Sequence, residues 1–143
     1  QQGIDIGIAT QTDRGLLVPM VRDLSPWPGF AAAAARMNDV VQRARHGAAG
    51  PDDFGGGALS ISNLGMFGVS WAVPIINPPQ SASLGVGRSR SVFRADLNGD
   101  PELREEMVLV LSADHRVHDG VSAARLLACI SDYVENPLGL GFG

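Results

Sequence analysis

The 143-residue chain contains no lysine and only one cysteine. Because Cys129 has no second cysteine to pair with, an internal disulfide is excluded and a reducing compartment is expected. The eleven basic residues are all arginines, the formal net charge is −4 and no basic patch stands out, which argues against nucleic-acid binding. No apolar run approaches the roughly 20 residues that a membrane-spanning helix needs.

Glycine and proline, in contrast, are abundant, with 18 and 9 residues, and the chain is 45% hydrophobic. Apolar runs interrupt these turn-forming residues regularly, so many turns are expected rather than disorder. A chain of this length forms one domain or part of one.

The apolar pattern predicts alternating strands and helices. Alternation over residues 4–8 predicts a strand, and residues 16–21 return beside it as a hairpin, in which Pro19 indicates an edge strand or a bulge. Helical spacing over 31–45 predicts a helix that starts at Ser25 or Pro26. Further elements are predicted as strands at residues 59–63, 73–76, 82–86, 91–95 and 105–113 and as a helix at 121–135.

The most informative segment is residues 114–120, which read Asp-His-Arg-Val-His-Asp-Gly. The apolar run 107–111 predicts a buried strand that leads into this loop, and a helix is expected to start at Asp119 or Gly120. A histidine held between two rigid elements, as His115 would be, is well placed for proton transfer near neutral pH. A satisfied core histidine is the alternative.

A metal site is a second alternative for this loop, because aspartate and histidine are common ligands. However, a His-x-x-His pair without a distant third cluster is a weak signal, and only His46 remains elsewhere in the chain. We therefore predict no metal.

The pattern His-x-x-x-Asp-Gly resembles the signature of the chloramphenicol acetyltransferase-like acyltransferases. With its Asp-His-Arg opening, the segment is similar to the dihydrolipoamide acyltransferases of the 2-oxoacid dehydrogenase complexes. Chloramphenicol acetyltransferases usually carry a second histidine where this chain has Asp114. Further segments resemble the same family in the same order, at residues 6–9, 15–19, 61–65, 74–80 and 84–87.

The resemblance implies an α/β fold, a chloramphenicol acetyltransferase-like two-layer sandwich of a mixed β-sheet with helices on one face. Residues 1–143 would be the C-terminal two-thirds of one catalytic domain, without its N-terminal third and without the lipoyl and subunit-binding domains. The lipoyl group of these complexes is carried on a lysine. Since this chain has none, another domain would supply the lipoyl group.

The resemblance also implies acyl transfer between two thiols, with coenzyme A as a substrate. His115 would be the general base, and the hydroxyl of Ser62 would stabilise the oxyanion. Asp119 would fix the loop and the orientation of the histidine. Leu84 and Asn63 would lie along the substrate channel. Ser62 is not in a Gly-x-Ser-x-Gly elbow, which agrees with direct attack and no acyl-enzyme.

Several residues also have plainer explanations. Ser62 and Ser60, at alternating positions, could be ordinary strand serines. His118 is interpreted as a bystander that faces solvent or a neighbour, Arg116 as the partner in a structural ion pair, and Cys129 as a small buried side chain.

The resemblance further implies a homotrimer that builds a cubic or dodecahedral cage, with the histidine and serine of one site coming from neighbouring subunits. Decarboxylase and dihydrolipoamide dehydrogenase subunits would be its partners, in the bacterial cytoplasm or the mitochondrial matrix. Candidate contact residues are Trp27, Phe30, Met66, Phe67, Trp71 and the tail 138–142.

Residues 62–65 resemble acetyl- or branched-chain-specific members more than succinyl-specific ones. Residues 112–115 and the late Glu-Asn-Pro at 135–137 resemble branched-chain members, so a branched-chain acyl group is predicted. Acetyl transfer in a pyruvate dehydrogenase complex is the first alternative, and a non-catalytic assembly core is another. An antibiotic acetyltransferase is disfavoured by Asp114 and by the match over residues 74–80.

Overall fold

The computed structural model describes residues 3–25 and 27–137. Within these ranges the chain forms nine strands, two α-helices and two short 3-10 helices, the latter at Pro51–Asp53 and Gly65–Phe67. The strands are β1 Ile6–Ile8, β2 Thr10–Thr12, β3 Gly15–Leu17, β4 Met20–Val21, β5 Leu59–Asn63, β6 Ala82–Val86, β7 Arg90–Ala95, β8 Pro101–Glu106 and β9 Leu109–Ala113. The helices are α1 Phe30–Arg45 and α2 Gly120–Glu135.

Five strands form the central sheet in the order β4-β1-β5-β6-β9. The three inner strands β1, β5 and β6 run parallel, while β4 and β9 join at the two edges in antiparallel orientation. Two separate hairpins, β2-β3 and β7-β8, complete the strand pairing. The sheet is therefore mixed, as the resemblance implied.

Both helices lie on the same face of this sheet. Met37 of α1 lines a hollow with Ile8 and Ile61, and Leu127 of α2 lines another with Leu109. Ile61 pairs with Leu84, which pairs with Leu111, so these three side chains lie on one face of the sheet. Leu109, two residues before Leu111, lies on the same face. The predicted two-layer arrangement with helices on one face is confirmed.

The opposite face of the sheet carries small residues, because the segment 69–80 packs directly against it. Ser60 and Ser83 share a hydrogen bond of 3.0 Å between their hydroxyls, and Ser112 Oγ donates to the carbonyl oxygen of Pro74 at 2.6 Å. A Cβ on Gly85 would lie 2.7 Å from the Ala72 carbonyl oxygen. Residues 69–80 therefore cover this face without pairing as a strand, and the strand predicted at 73–76 was wrong.

The first helix begins at Phe30, not at Ser25, while Pro26 lies outside the described residues. Trp27 precedes Pro28, which disfavours helical geometry at Trp27. Gly29 then adopts a φ of 86°, so the chain turns sharply before the helix starts. The ring of Trp27 packs edge-on against that of Phe30, with 5.5 Å between the centroids.

Two predicted strands are each divided in the structure. The residues predicted as one strand at 16–21 separate into β3 and β4 around buried Pro19, whose carbonyl oxygen accepts a hydrogen bond from the amide of Ile8. As expected from that proline, β4 is an edge strand. The strand predicted at 105–113 divides because β8 pairs with β7, whereas β9 pairs with β6. The division follows Glu106, where the charged residues 105–106 give way to the apolar run 107–111.

Neither α1 nor α2, the two α-helices of the described residues, is long and apolar enough to cross a membrane. One side of α2 is open, since no residue of this helix is fully buried. Four of the predicted contact residues are indeed exposed, namely Trp27, Met66, Phe67 and Trp71. Phe30 is only half-buried, and the tail 138–142 lies outside the described residues.

Candidate active site

The loop of residues 114–119 connects the edge strand β9 to helix α2. Ala113 is paired with Ala82 in the sheet, and the amide of Asp114 extends the pairing by donating to the Ser81 carbonyl oxygen at 2.8 Å. The carbonyl oxygen of Asp114 then accepts hydrogen bonds from the amides of Val117 and His118, each at 2.9 Å. The chain therefore turns back within four residues of leaving the strand.

The side chain of Asp114 also stabilises this turn, through hydrogen bonds with Arg116. Its Oδ1 accepts the Arg116 amide at 2.9 Å, and the Arg116 guanidinium lies 2.7 Å from Oδ2. Hydrogen bonds from the guanidinium, followed by the one from the Arg116 amide, lower the pKa of Asp114 to about 2. Arg116 is thus the structural ion-pair partner that was predicted.

Asp119 starts the helix that follows. It is the N-cap of α2, and its Oδ1 accepts the amide of Ser122 at 2.6 Å, while its carbonyl oxygen accepts the Ser122 hydroxyl at 2.9 Å. The Ser122 amide is the main cause of a lowered pKa for the Asp119 carboxyl. The helix begins at Gly120, one of the two positions predicted.

His115 lies between these two anchored aspartates and is exposed. Among residues 3–25 and 27–137, no side chain or backbone group hydrogen-bonds to its ring. A satisfied core histidine is therefore wrong for His115. Its backbone is fixed on both sides, while both ring nitrogens stay available to a reactant.

His118, which was interpreted as a bystander that faces solvent or a neighbour, faces a neighbour in the structure. It is half-buried, and its Nε2 lies 2.9 Å from Ser81 Oγ, within hydrogen-bonding distance. The two residues are separated by 37 positions along the chain, so no local pattern could have indicated this contact.

Ser62 and Asn63 lie at the far end of β5. Ser62 is half-buried and paired with Gly85, on the face that residues 69–80 cross. Asn63 is exposed, and its Oδ1 accepts the Gly65 amide at 3.0 Å, which holds the turn after the strand. Leu84 is only 5% exposed and lies on the helix-covered face, opposite to Ser62 and Gly85. The channel roles of Asn63 and Leu84 stay predictions.

One chain does not bring Ser62 and His115 together. Ser62 is in register with Gly85 and so with Val110, whereas the loop leaves β9 after Ala113. Ala113 is three residues farther along the sheet and two strands away, which amounts to about 14 Å between the Cα atoms of Ser62 and Ala113. His115 follows two residues beyond, too far for both side chains to contact one thioester group.

Two further predictions concern the burial of Cys129 and the possibility of a metal site. Cys129 of α2 is exposed, so its interpretation as a small buried side chain was wrong; α2 packs against the sheet with other residues. Within the part of the chain that the structure describes, no group of three or more His, Cys, Asp or Glu side chains is placed to hold a metal ion.

The sequence matches the family of 2-oxoacid dehydrogenases acyltransferase (catalytic domain) over residues 1–142. The chain belongs to this family. A succinyltransferase component of the 2-oxoglutarate dehydrogenase complex from Rickettsia felis is 41% identical over 135 residues, covering 93% of this chain and 33% of that protein.

Two solved structures share the fold closely. A dihydrolipoamide acetyltransferase from Azotobacter vinelandii is 32% identical with a TM-score of 0.86, over 95% of this chain and 55% of that one. The cubic core of a pyruvate dehydrogenase multienzyme complex gives the same values. The chain thus spans about half the length of these structures and about a third of the curated relatives it matches.

Proposed function

We propose that this chain forms part of an acyltransferase domain that moves an acyl group between the thiols of dihydrolipoamide and coenzyme A. It would do so in the core of a 2-oxoacid dehydrogenase complex. The observation that carries the proposal is the position of His115, whose ring is exposed and unbonded within the described residues while the loop around it is fixed. Membership of the acyltransferase family supports the same reaction.

His115 acts as the general base in this proposal. One ring nitrogen removes the proton from the attacking thiol, and the thiolate sulfur adds to the carbonyl carbon of the thioester. The hydroxyl of Ser62 donates a hydrogen bond to the oxygen that becomes negative. When the intermediate collapses, the carbon–sulfur bond of the original thioester breaks and the protonated His115 returns its proton to the leaving thiolate. No bond to the protein forms.

The site requires two copies of the chain, because Ser62 and His115 lie at opposite ends of one sheet. In a ring of identical subunits, the serine end of one copy can meet the histidine end of the next. The similar Azotobacter vinelandii enzyme offers support, since a serine, a histidine and an asparagine four positions after that histidine have been investigated in its mechanism. This chain has the same spacing from His115 to Asp119, with an aspartate in place of the asparagine.

The assembly that follows is a homotrimer that builds a larger cage, and the similarity to a cubic multienzyme core supports it. Exposed Met66, Phe67 and Trp71 supply apolar surface for such contacts. Coenzyme A enters as a substrate, and the lipoyl group comes from a lysine outside this lysine-free sequence. Decarboxylase and dihydrolipoamide dehydrogenase subunits would be the partners of the complex.

The acyl group is the finer part of the proposal. Residues 112–115 and 135–137 resemble branched-chain members, and residues 62–65 fit acetyl- and branched-chain members alike. The similar proteins, in contrast, are an acetyltransferase and a succinyltransferase component. Thioester formation on dihydrolipoamide, with acetyl-, isobutyryl- and succinyl-coenzyme A supplied in parallel, distinguishes the three donors. A preference for isobutyryl-coenzyme A supports branched-chain specificity, and a preference for another donor overturns it.

The same assay tests the reaction through His115→Ala in the assembled full-length protein. We expect the rate to fall by about 10²–10⁴-fold, the usual contribution of a positioned general base. His46→Ala is the matched control, because His46 is also exposed but lies at the end of α1, with its ring bonded to Gln42. If the folded and assembled wild-type protein transfers no acyl group from any donor, the chain is an assembly core without catalytic activity.

A further inference from the structure

Ser81 contacts both ends of the loop that carries His115. Its carbonyl oxygen accepts the amide of Asp114 at 2.8 Å, and its hydroxyl lies 2.9 Å from His118 Nε2. The residue is itself held by the sheet, because its amide donates to Ala58 and because it directly precedes β6. One residue of the rigid sheet therefore contacts the chain on both sides of His115.

We propose that His118 and Ser81 form a tether that positions His115 for proton transfer. The proposal rests on the function proposed above, in which His115 is the base. In it, His118 is a positioning residue. It touches no substrate, and it acts by holding the peptide that carries His115 against the start of β6.

The other side-chain bonds of the loop do not reach the sheet. The side-chain bonds of Asp114 return to Arg116 within the loop, and those of Asp119 reach Ser122 in the following helix. Among the described residues, the bond from His118 to Ser81 is the one side-chain hydrogen bond that joins the loop to the sheet.

The tether should affect the rate through geometry. Because His115 lies in a short turn, its ring moves when the backbone of the loop moves. A displacement of about 1 Å at a catalytic group can lower a rate by about 10²-fold. Coenzyme A affinity should change little, because neither Ser81 nor His118 is proposed to contact the substrate. The predicted signature is a lower kcat with a nearly unchanged KM.

The test compares His118→Ala and Ser81→Ala with the double variant in the assembled full-length protein. We expect each single variant to lower kcat between about 10- and 100-fold, and the double variant to be no worse than either single one, since all three lack the same bond. Ser81→Thr keeps a hydroxyl at the same position and should retain most of the wild-type rate. Fully additive losses, or no rescue by threonine, would overturn the tether.

Ser83→Ala is the control for stability. It removes a comparable hydroxyl bond, to Ser60 at 3.0 Å, and it lies in β6, two residues after Ser81 and away from the loop. This variant should lose stability without losing kcat. If it reduces kcat as strongly as His118→Ala does, the effect of His118 is general destabilisation and the proposal is wrong.

Hydrogen exchange provides a readout that is independent of turnover. The amides of Val117 and His118 are bonded to the Asp114 carbonyl oxygen, and they should exchange faster in His118→Ala than in the wild type. Unchanged exchange would reject the tether whatever the activity shows. An active wild type with an inactive His115→Ala and a fully active His118→Ala would reject the tether but leave the proposed function intact.

Discussion

Asp114 and Arg116 form an ion pair that bridges the residue between them, His115. The guanidinium donates to both carboxylate oxygens of Asp114, and the Arg116 amide donates to one of them as well. These bonds tighten the turn immediately around the candidate base. They also explain why a short loop at the edge of a sheet keeps a defined shape.

The ion pair should be detectable in the titration of Asp114. Its pKa is lowered from 3.8 to about 2, mainly by Arg116, so Arg116→Ala should raise the pKa back towards 3.8. Since the folded pKa is the lower one, this contribution to stability is present above pH 3.8 and is lost as the pH falls towards 2. Carboxyl-carbon NMR titration measures the change. An unaltered Asp114 pKa in the variant would contradict the assignment.

The N-cap of α2 supports a second prediction. Asp119→Ala removes the acceptor for the Ser122 amide, so the melting temperature should fall, whereas Asp119→Asn can still cap the helix and should stay close to the wild type. Thermal unfolding followed by circular dichroism compares the three proteins. Equal melting temperatures for the alanine and asparagine variants would show that the cap does not contribute.

Gly85 supports a third prediction, on the face of the sheet that residues 69–80 cross. A Cβ at this position would meet the Ala72 carbonyl oxygen at 2.7 Å and the Pro74 ring at 3.2 Å. Gly85→Ala should therefore cost about 1–3 kcal/mol in the free energy of unfolding, the usual cost of overpacking. Gly50→Ala is the control, because nothing lies within 4 Å of its Cβ position. Urea denaturation of both variants should separate them clearly.

The accuracy of prediction from sequence differed with the range of the interactions involved. The start of α2 at Gly120 was predictable because Asp119 caps the helix through a residue only three positions away. The strand at 105–113 was divided because β8 pairs with β7 in a local hairpin, whereas β9 pairs with the more distant β6, and an apolar pattern does not specify strand partners. The same limit hid the contact between His118 and Ser81.

For the candidate site, the sequence indicated the residues but not their arrangement in space. The motif at 114–120 indicated His115 as a site residue, and the resemblance of residues 61–65 indicated Ser62. Their separation across the sheet follows from the register of β5, β6 and β9, which composition and periodicity do not determine. Exposure of Cys129 likewise depends on which side of α2 faces the sheet.

The separation of Ser62 from His115 leads to the final prediction. Ser62→Ala and His115→Ala proteins should each be nearly inactive alone. When the two variants assemble together in one oligomer, however, some sites combine the intact histidine of one chain with the intact serine of its neighbour. When equal amounts of the two variants assemble at random, about half of the chains have the intact histidine and about half have the intact serine. About a quarter of the sites in a closed ring therefore contain both intact residues.

Activity should therefore reappear when the two inactive proteins are unfolded, mixed and reassembled, and it should approach about a quarter of the wild-type value per chain. Each variant reassembled alone is the control for refolding. The recovery distinguishes two arrangements of the site, because a site built within one chain would be damaged in every subunit of the mixture. Mixed oligomers that form but stay inactive would place Ser62 and His115 in the same chain's site.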